Sequence, residues 1–378
     1  MIFYIVEFLM DVDERLDFLR VLKYITFRSA MALILAFVLS LVLGPIVIRK
    51  LAALRAGQQI RKIQKPGAPD LYVMHQTKAG TPTMGGLLII ASLLVPVLLL
   101  CNLQNKLIWI LIIMTLGFGT VGFLDDWLKI KRQNAKGLRA RIKIMCQLGL
   151  GLGLGIYLYH AELGIFYPHK AIEGNTFLCI PFLKDLYPDL GLLFIPFVML
   201  VITATSNAVN LTDGLDGLAI GITIICALSY GVITYLVGRP DFARYLLVPF
   251  IPNGGEITVF LGGVVGAGMG FLWFNAHPAQ IFMGDTGSLT LGGLLGTVAL
   301  LAKQEFLLLV IGGIFVLEAL SVIIQVISYK CTGKRVFLMS PLHHHYERMG
   351  LAESKIIARF WIISALLALF GLSILKLR

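Results

Sequence analysis

The sequence predicts an all-α, polytopic integral membrane protein of about ten transmembrane helices. Three observations carry that expectation. Of 378 residues, 58% are hydrophobic and only 14% charged, with a mean hydropathy of +0.86, well outside the range of soluble domains. Apolar windows of about 20 residues, the length that crosses the hydrocarbon core as a helix, recur from Ser29 to Leu377. The runs are continuous rather than alternating, which excludes a β-barrel.

In chain order the expected spans are 29–48, 84–101, 107–124, 142–160, 191–208, 216–237, 257–274, 288–302, 306–329 and 356–376. They form one transmembrane domain over 1–378. Glu7, Asp11, Asp13, Glu14 and Asp17 interrupt the first apolar stretch, so 1–28 reads as an interfacial segment rather than a cleavable signal. Ten spans leave both termini on one side. The loops at about 49–83, 125–141 and 330–355, counted to Lys143 in the second case, hold nineteen lysines and arginines. The opposite loops hold six, Lys106, Lys170, Lys184, Arg239, Arg244 and Lys303. The positive-inside rule makes the basic loops cytoplasmic and both termini periplasmic. The net charge of +11 is thereby explained as topogenic, and no nucleic-acid partner is expected. Five scattered cysteines show no metal or disulfide spacing.

Acidic residues near a bilayer are costly, and here they crowd on the cytoplasmic face. Asp125 and Asp126 close the third span in GFLDDWLK, with Lys129 three and four residues on. Adjacent residues point about 100° apart on a helix, so the two are not expected to share one tight partner. A solvated helix end with a local ion pair is the plain alternative to a functional pair. Two further loops, 209–215 and 275–287, lack lysine and arginine but carry acids. In NAVNLTDGLDGLA, Asn207, Asn210, Asp213 and Asp216 recur every third residue, as on a helical stripe. An Asn/Asp/Gly turn is the alternative. In FNAHPAQIFMGDTGS, Asp285 suits either a helix cap or a divalent cation. Several carboxylates on one face favour magnesium, which takes carboxylate oxygens and completes its shell with water and phosphate.

Two basic segments accompany the acids. HQTKAGTPTMGG places Lys78, Thr81 and Thr83 before a glycine pair that opens the second span, either an anion site at a helix start or a plain entry. SPLHHHYE carries His343, His344 and His345, whose consecutive spacing disfavours one shared metal. Phosphate or sugar oxygens are the better partners for them, against a structural loop. The glycine runs at 149–155 and 262–270 lie inside spans and read as close helix packing. Apart from Glu318, the spans are poor in acids, which disfavours a cation-coupled transporter.

GTPTMGG (80–86), GFLDDWLK (122–129), NAVNLTDGLDGLA (207–219), FNAHPAQIFMGDTGS (274–288) and SPLHHHYE (340–347), with KYITFRS (23–29) and GGLLGTVALLAKQEF (292–306), closely resemble, in order, the signature segments of one family. That family is the phospho-N-acetylmuramoyl-pentapeptide transferases, within the polyprenyl-phosphate N-acetylhexosamine-1-phosphate transferases. The resemblance implies ten helices and transfer of phospho-MurNAc-pentapeptide from UDP-MurNAc-pentapeptide to undecaprenyl phosphate. The products are lipid I and UMP, and Mg2+ is the cofactor. It implies Asp285 as the magnesium ligand, with Asp125, Asp126 and Asp213 around it as catalytic residues and further possible ligands. It implies uridine contacts from Lys78, Asn207, Asn210, Gly214, Leu215, Asp216, Asn275 and Phe282. Gln325, His344 and His345 then lie toward the sugar and phosphate, and Thr83 and Lys143 fill further active-site positions. A bacterial inner-membrane location follows, and a homodimer is compatible with it. A sister enzyme acting on UDP-GlcNAc is the nearest alternative.

Overall fold

A computed structural model describes residues 20–54, 80–132, 137–167, 172–183 and 186–376. The chain is a helical bundle of α1 (Ile25–Ala53), α2 (Gly86–Leu100), α3 (Lys106–Lys131), α4 (Ala140–His160), α5 (Phe194–Thr212), α6 (Leu218–Val237), α7 (Pro240–Leu246), α8 (Gly255–Asn275), α9 (Gly284–Leu301), α10 (Glu305–Ile311), α11 (Gly313–Thr332), α12 (Leu342–Arg348) and α13 (Glu353–Ile374). A two-stranded antiparallel pair, β1 (Phe166–Tyr167) with β2 (Ile172–Glu173), adds a little sheet between α4 and α5. Composition gave no hint of it, because two residues per strand leave no periodicity to read.

Among the described residues, α1, α3, α4, α5, α6, α8, α11 and α13 are long and apolar enough to cross a membrane; the α5 span includes the turn at Gly191–Leu193. Of the other expected spans, the second is α2, with 15 residues. The eighth is α9, in which every residue from Thr286 to Leu301 is buried. Glycine and threonine dilute its apolarity, because a helix enclosed by other helices needs small residues that let backbones approach.

α9 packs between α3 and α5, and α8 packs along α1, α2 and α6. The glycine run expected at 262–270 does serve packing: Gly262 and Gly266 abut the Ser29 and Leu33 carbonyls of α1, and Gly270 abuts Ser40. In the run at 149–155 only Gly151 and Gly155 meet α5, while Gly149 and Gly153 face open space. Arg28 forks onto Glu256, with Nη1–Oε2 at 2.8 Å and Nη2–Oε1 at 2.5 Å, which ties α1 to α8. The Glu256 Oε2 also accepts from the Asn102 N–H at 2.9 Å, so the buried charge has partners on both sides.

Three boundaries depart from expectation. α3 begins at Lys106 and is capped by Asn105, whose side chain accepts from the Leu107 N–H at 2.9 Å. It runs on to Lys131, so Asp125 and Asp126 lie within the helix rather than at its end. The ninth span divides at Gly312 into α10 and α11. The polar stripe from Asn207 ends with α5 at Thr212, which places Asp216 in the following turn.

Candidate active site

Two helices bring the carboxylates together, α3 in its last two turns and α9 in its first. One oxygen from each of Asp125, Asp126 and Asp285 lies within 4.8 Å of the others, a donor set able to hold a cation. Asp125 and Asp126 are almost fully buried. The Asp126 Oδ2 accepts from the Thr286 N–H at 2.9 Å and from Thr286 Oγ1 at 2.8 Å, closing the first turn of α9 from outside. The Asp125 Oδ1 accepts from the Leu138 N–H at 2.8 Å. Asp285 is no N-cap; it sits one residue into α9 and reaches sideways instead. Its Oδ2 accepts from Lys143 Nζ at 2.5 Å and its Oδ1 from Asn210 Nδ2 at 2.9 Å.

Lys129 corrects the expectation drawn from helical angles. Its Nζ lies 2.5 Å from Asp125 Oδ2, 3.2 Å from Asp126 Oδ1 and 3.2 Å from Asp285 Oδ2. A four-carbon stem positioned at i+3 and i+4 reaches between two adjacent carboxylates, although these diverge at their Cα atoms. Two lysines thus partly neutralise three acids. Lys129 was legible only as a local pair, since its third partner is distant in sequence.

Close backbone approach makes the cluster possible. The Asp285 carbonyl occupies the space where a side chain on Gly122 would begin. Gly284 has φ +70°, and a Cβ there would lie 2.6 Å from Asp126 Oδ2 and 2.8 Å from Thr83 Oγ1. Thr83 therefore borders the carboxylates. Asp213, the C-cap of α5, stands nearby. Burial first, and then the fields of Asp285, Asp126 and Asp216, push its carboxyl up to about 8.

The remaining expected residues form a framework beside this cluster. Asn207 donates to Gln147 Oε1 at 2.7 Å across the α4–α5 interface. Leu215 is buried. Asn275 accepts from the Gly217 N–H at 2.9 Å and donates to the Ile281 carbonyl at 2.8 Å, locking the α5–α6 turn to the segment before α9. The Asp216 side chain turns inward: its Oδ2 meets His277 Nδ1 at 3.1 Å and the Ala279 N–H at 3.1 Å, while its own N–H donates to Glu353 Oε1 at 2.9 Å. Asp216, His277 and Glu353 also have ligand-type geometry. Their atoms are engaged with each other and with backbone N–H groups, so they act as a latch for the turn. Gly214 is exposed and Phe282 half-buried. Lys78 lies outside the described residues.

The histidine segment forms α12, with the three rings pointing to different partners. His343 is enclosed. His344 Nδ1 lies 2.6 Å from Glu347 Oε2, and His345 Nδ1 accepts from the Leu338 N–H at 3.2 Å. Burial lowers the His344 pKa despite the nearby carboxylate. With a proton on Nδ1 toward Glu347, the ring would present Nε2 as an acceptor. Gln325 is taken up by backbone, accepting from Val336 N–H and Phe337 N–H and donating to the Phe337 carbonyl, each at 3.0 Å.

The bundle, with eight helices long and apolar enough to cross a membrane among the described residues, gathers carboxylates and lysines at one polar end, a set of charges able to hold a cation and phosphate. Residues 108–303, from α3 to just past α9, match the model for glycosyl transferase family 4. Residues 78–90 match phospho-N-acetylmuramoyl-pentapeptide-transferase signature 1. The chain is 51% identical over 359 residues to the phospho-N-acetylmuramoyl-pentapeptide-transferase of Citrifermentans bemidjiense, covering 95% of each protein. It is 48% identical over 373 residues to that of Oleidesulfovibrio alaskensis, covering 98% of this chain and 99% of the relative. With that of Maridesulfovibrio salexigens it shares 47% over 375 residues, covering 99% and 100%. The chain belongs to the phospho-N-acetylmuramoyl-pentapeptide-transferase family, within glycosyl transferase family 4.

Proposed function

We propose that this protein transfers phospho-MurNAc-pentapeptide from UDP-MurNAc-pentapeptide to undecaprenyl phosphate, releasing UMP and leaving lipid I in the membrane. The observation that carries the reading is the convergence of Asp125, Asp126 and Asp285 with Lys129 and Lys143 at the polar end of α9, in a chain of this family. The site opens on the cytoplasmic face of the bacterial inner membrane, the side to which the basic loops assign it.

Three carboxylate oxygens within 4.8 Å of one another are a donor set that suits Mg2+, which completes its shell with water and phosphate. Asp285 would hold it, with Asp125 and Asp126 as further ligands, and its chemistry when bound is neutralisation of charge on the diphosphate. Lys129 and Lys143 supply fixed positive charge beside the same oxygens, and Asn210 orients Asp285. Phe282 offers a half-buried ring on which uracil stacks, on the polar rim formed by Gly214 and the turn that Asn275 and Asp216 hold in place.

A phosphate monoester has a second pKa of about 6, so the lipid phosphate is already mostly dianionic at pH 7 and needs no strong base. Phosphoryl transfer asks chiefly for alignment and charge stabilisation. We therefore favour direct attack of the lipid phosphate on the β-phosphate of the nucleotide, with UMP as leaving group and an aspartate of the cluster taking any residual proton. A two-step route through an aspartyl adduct makes a different demand. Trapping a sugar-phosphate adduct on Asp125 or Asp126 without lipid acceptor would establish that second route.

The test of the function is the lipid product. Purified protein given UDP-MurNAc-pentapeptide, undecaprenyl phosphate and Mg2+ is expected to form a lipid with the mass of lipid I. Its absence, in a preparation that still binds nucleotide, would falsify the assignment.

A further inference from the structure

One buried polar pair is unused by this chemistry. Glu318, in α11, and His343, the first of the three histidines, are both 0% exposed. The His343 N–H donates to Glu318 Oε1 at 3.2 Å, and the ring Nδ1 lies 3.3 Å from the same oxygen. A carboxylate enclosed within an apolar span is costly unless partnered, and such residues mark function more often than packing. Seven residues on, two turns along the same face of α11, Gln325 holds the backbone at Val336 and Phe337. Two polar side chains of this stripe thus hold the path into α12, Gln325 at 336–337 and Glu318 at His343 in its first turn.

The far side of His343 meets the nucleotide turn. Its Nε2, without a hydrogen-bond partner among the described residues, fills the space where a side chain on Gly214 would begin. The His343 ring also packs on that of His344, centroids 4.2 Å apart. A chain of contacts therefore runs from Glu318 through His343 to both Gly214 and His344.

We propose that Glu318 is a positioning residue: through His343 it docks α12 against the 213–217 turn, and so sets His344 and His345 beside the substrate. Glu318 itself touches no substrate. The kinetic part of this inference rests on the sugar-nucleotide reading above, while the docking part does not.

The test compares Glu318→Ala and Glu318→Gln in the full-length protein. Amide exchange across 338–349 is expected to rise about tenfold or more in Glu318→Ala, with α8 and α9 unchanged. Its kcat/KM for UDP-MurNAc-pentapeptide should fall about tenfold or more, while UMP affinity stays within about twofold, because the uridine side of the site keeps its own anchors. Glu318→Gln retains an acceptor for the His343 N–H and should recover much of the lost protection and turnover. Exchange across 338–349 that stays at the wild-type level in Glu318→Ala overturns the proposal, as does a UMP affinity that falls together with kcat/KM. Should Glu318→Ala loosen the spans themselves, His343→Ala replaces it, and an undisturbed 338–349 segment there overturns the proposal equally. A wild-type protein without turnover would count against the transferase reading alone, since the exchange result stands independently.

Discussion

Thr286 donates both its N–H and its hydroxyl to one oxygen of Asp126, at 2.9 and 2.8 Å. The neighbouring Asp125 has a single backbone donor, Leu138. The two adjacent aspartates therefore differ: Asp126 fastens α9 to α3, and Asp125 is the less committed to structure. Hydrogen bonds to a charged group contribute about 1.5–3 kcal/mol each. Asp126→Asn is expected to lower both turnover and thermal stability, and Asp125→Asn to lower turnover with a smaller loss of stability. Thermal unfolding in detergent beside kcat checks this; equal stability losses would contradict it.

The Asp285 carbonyl fills the place of a Gly122 side chain. Gly122→Ala should push α9 away from α3 and spread the carboxylates, and a displacement of about 1 Å at a reacting centre can cost about a hundredfold. Turnover should fall by that order while helical content measured by circular dichroism is retained. Near-normal kcat would show that the backbones tolerate separation.

Asp285 meets Lys143 and Asn210 through different oxygens. Asp285→Asn keeps its shape but loses the charge that a divalent cation requires, so turnover should drop by about a hundredfold or more with the fold intact. A magnesium titration checks the cause. Wild-type activity should vanish with chelator and return with Mg2+, whereas added Mg2+ should not restore the variant. Substantial turnover by Asp285→Asn would remove it from the metal site.

The Phe282 N–H donates to the Pro82 carbonyl, and its own carbonyl accepts from the Gly85 N–H, both at 2.8 Å, so the backbone is held independently of the ring. Phe282→Ala therefore isolates stacking, which contributes about 1–3 kcal/mol per base. KM for the nucleotide substrate should rise by about tenfold or more with kcat little changed. An unaltered KM would place the uracil elsewhere.

The bundle was legible because continuous apolar runs of membrane length have few competing explanations, and the site because polar residues accumulate at one face of such a chain. Asp125, Asp126, Asn210 and Asp285 do meet there. What hydropathy could not show depends on local cancellation or distant partners. It stopped α3 at Leu124, whereas the Asp125–Lys129 pair carries the helix on to Lys131. The break falls at the Gly312–Gly313 pair, which a hydropathy window averages into the apolar run around it. The partners of Asp216 at His277 and Glu353 are 61 and 137 residues away, so no spacing rule points to them. Glu318 was visible as an isolated acid, but its partner His343 was hidden in a run of three identical residues.

The most direct measurement of the central claim is UMP release by the purified protein with undecaprenyl phosphate and Mg2+, supplied in parallel with UDP-MurNAc-pentapeptide or UDP-GlcNAc. Release with UDP-MurNAc-pentapeptide alone, abolished in Asp285→Asn, is the expected result. Release with UDP-GlcNAc alone would contradict the account and make this chain the sister transferase.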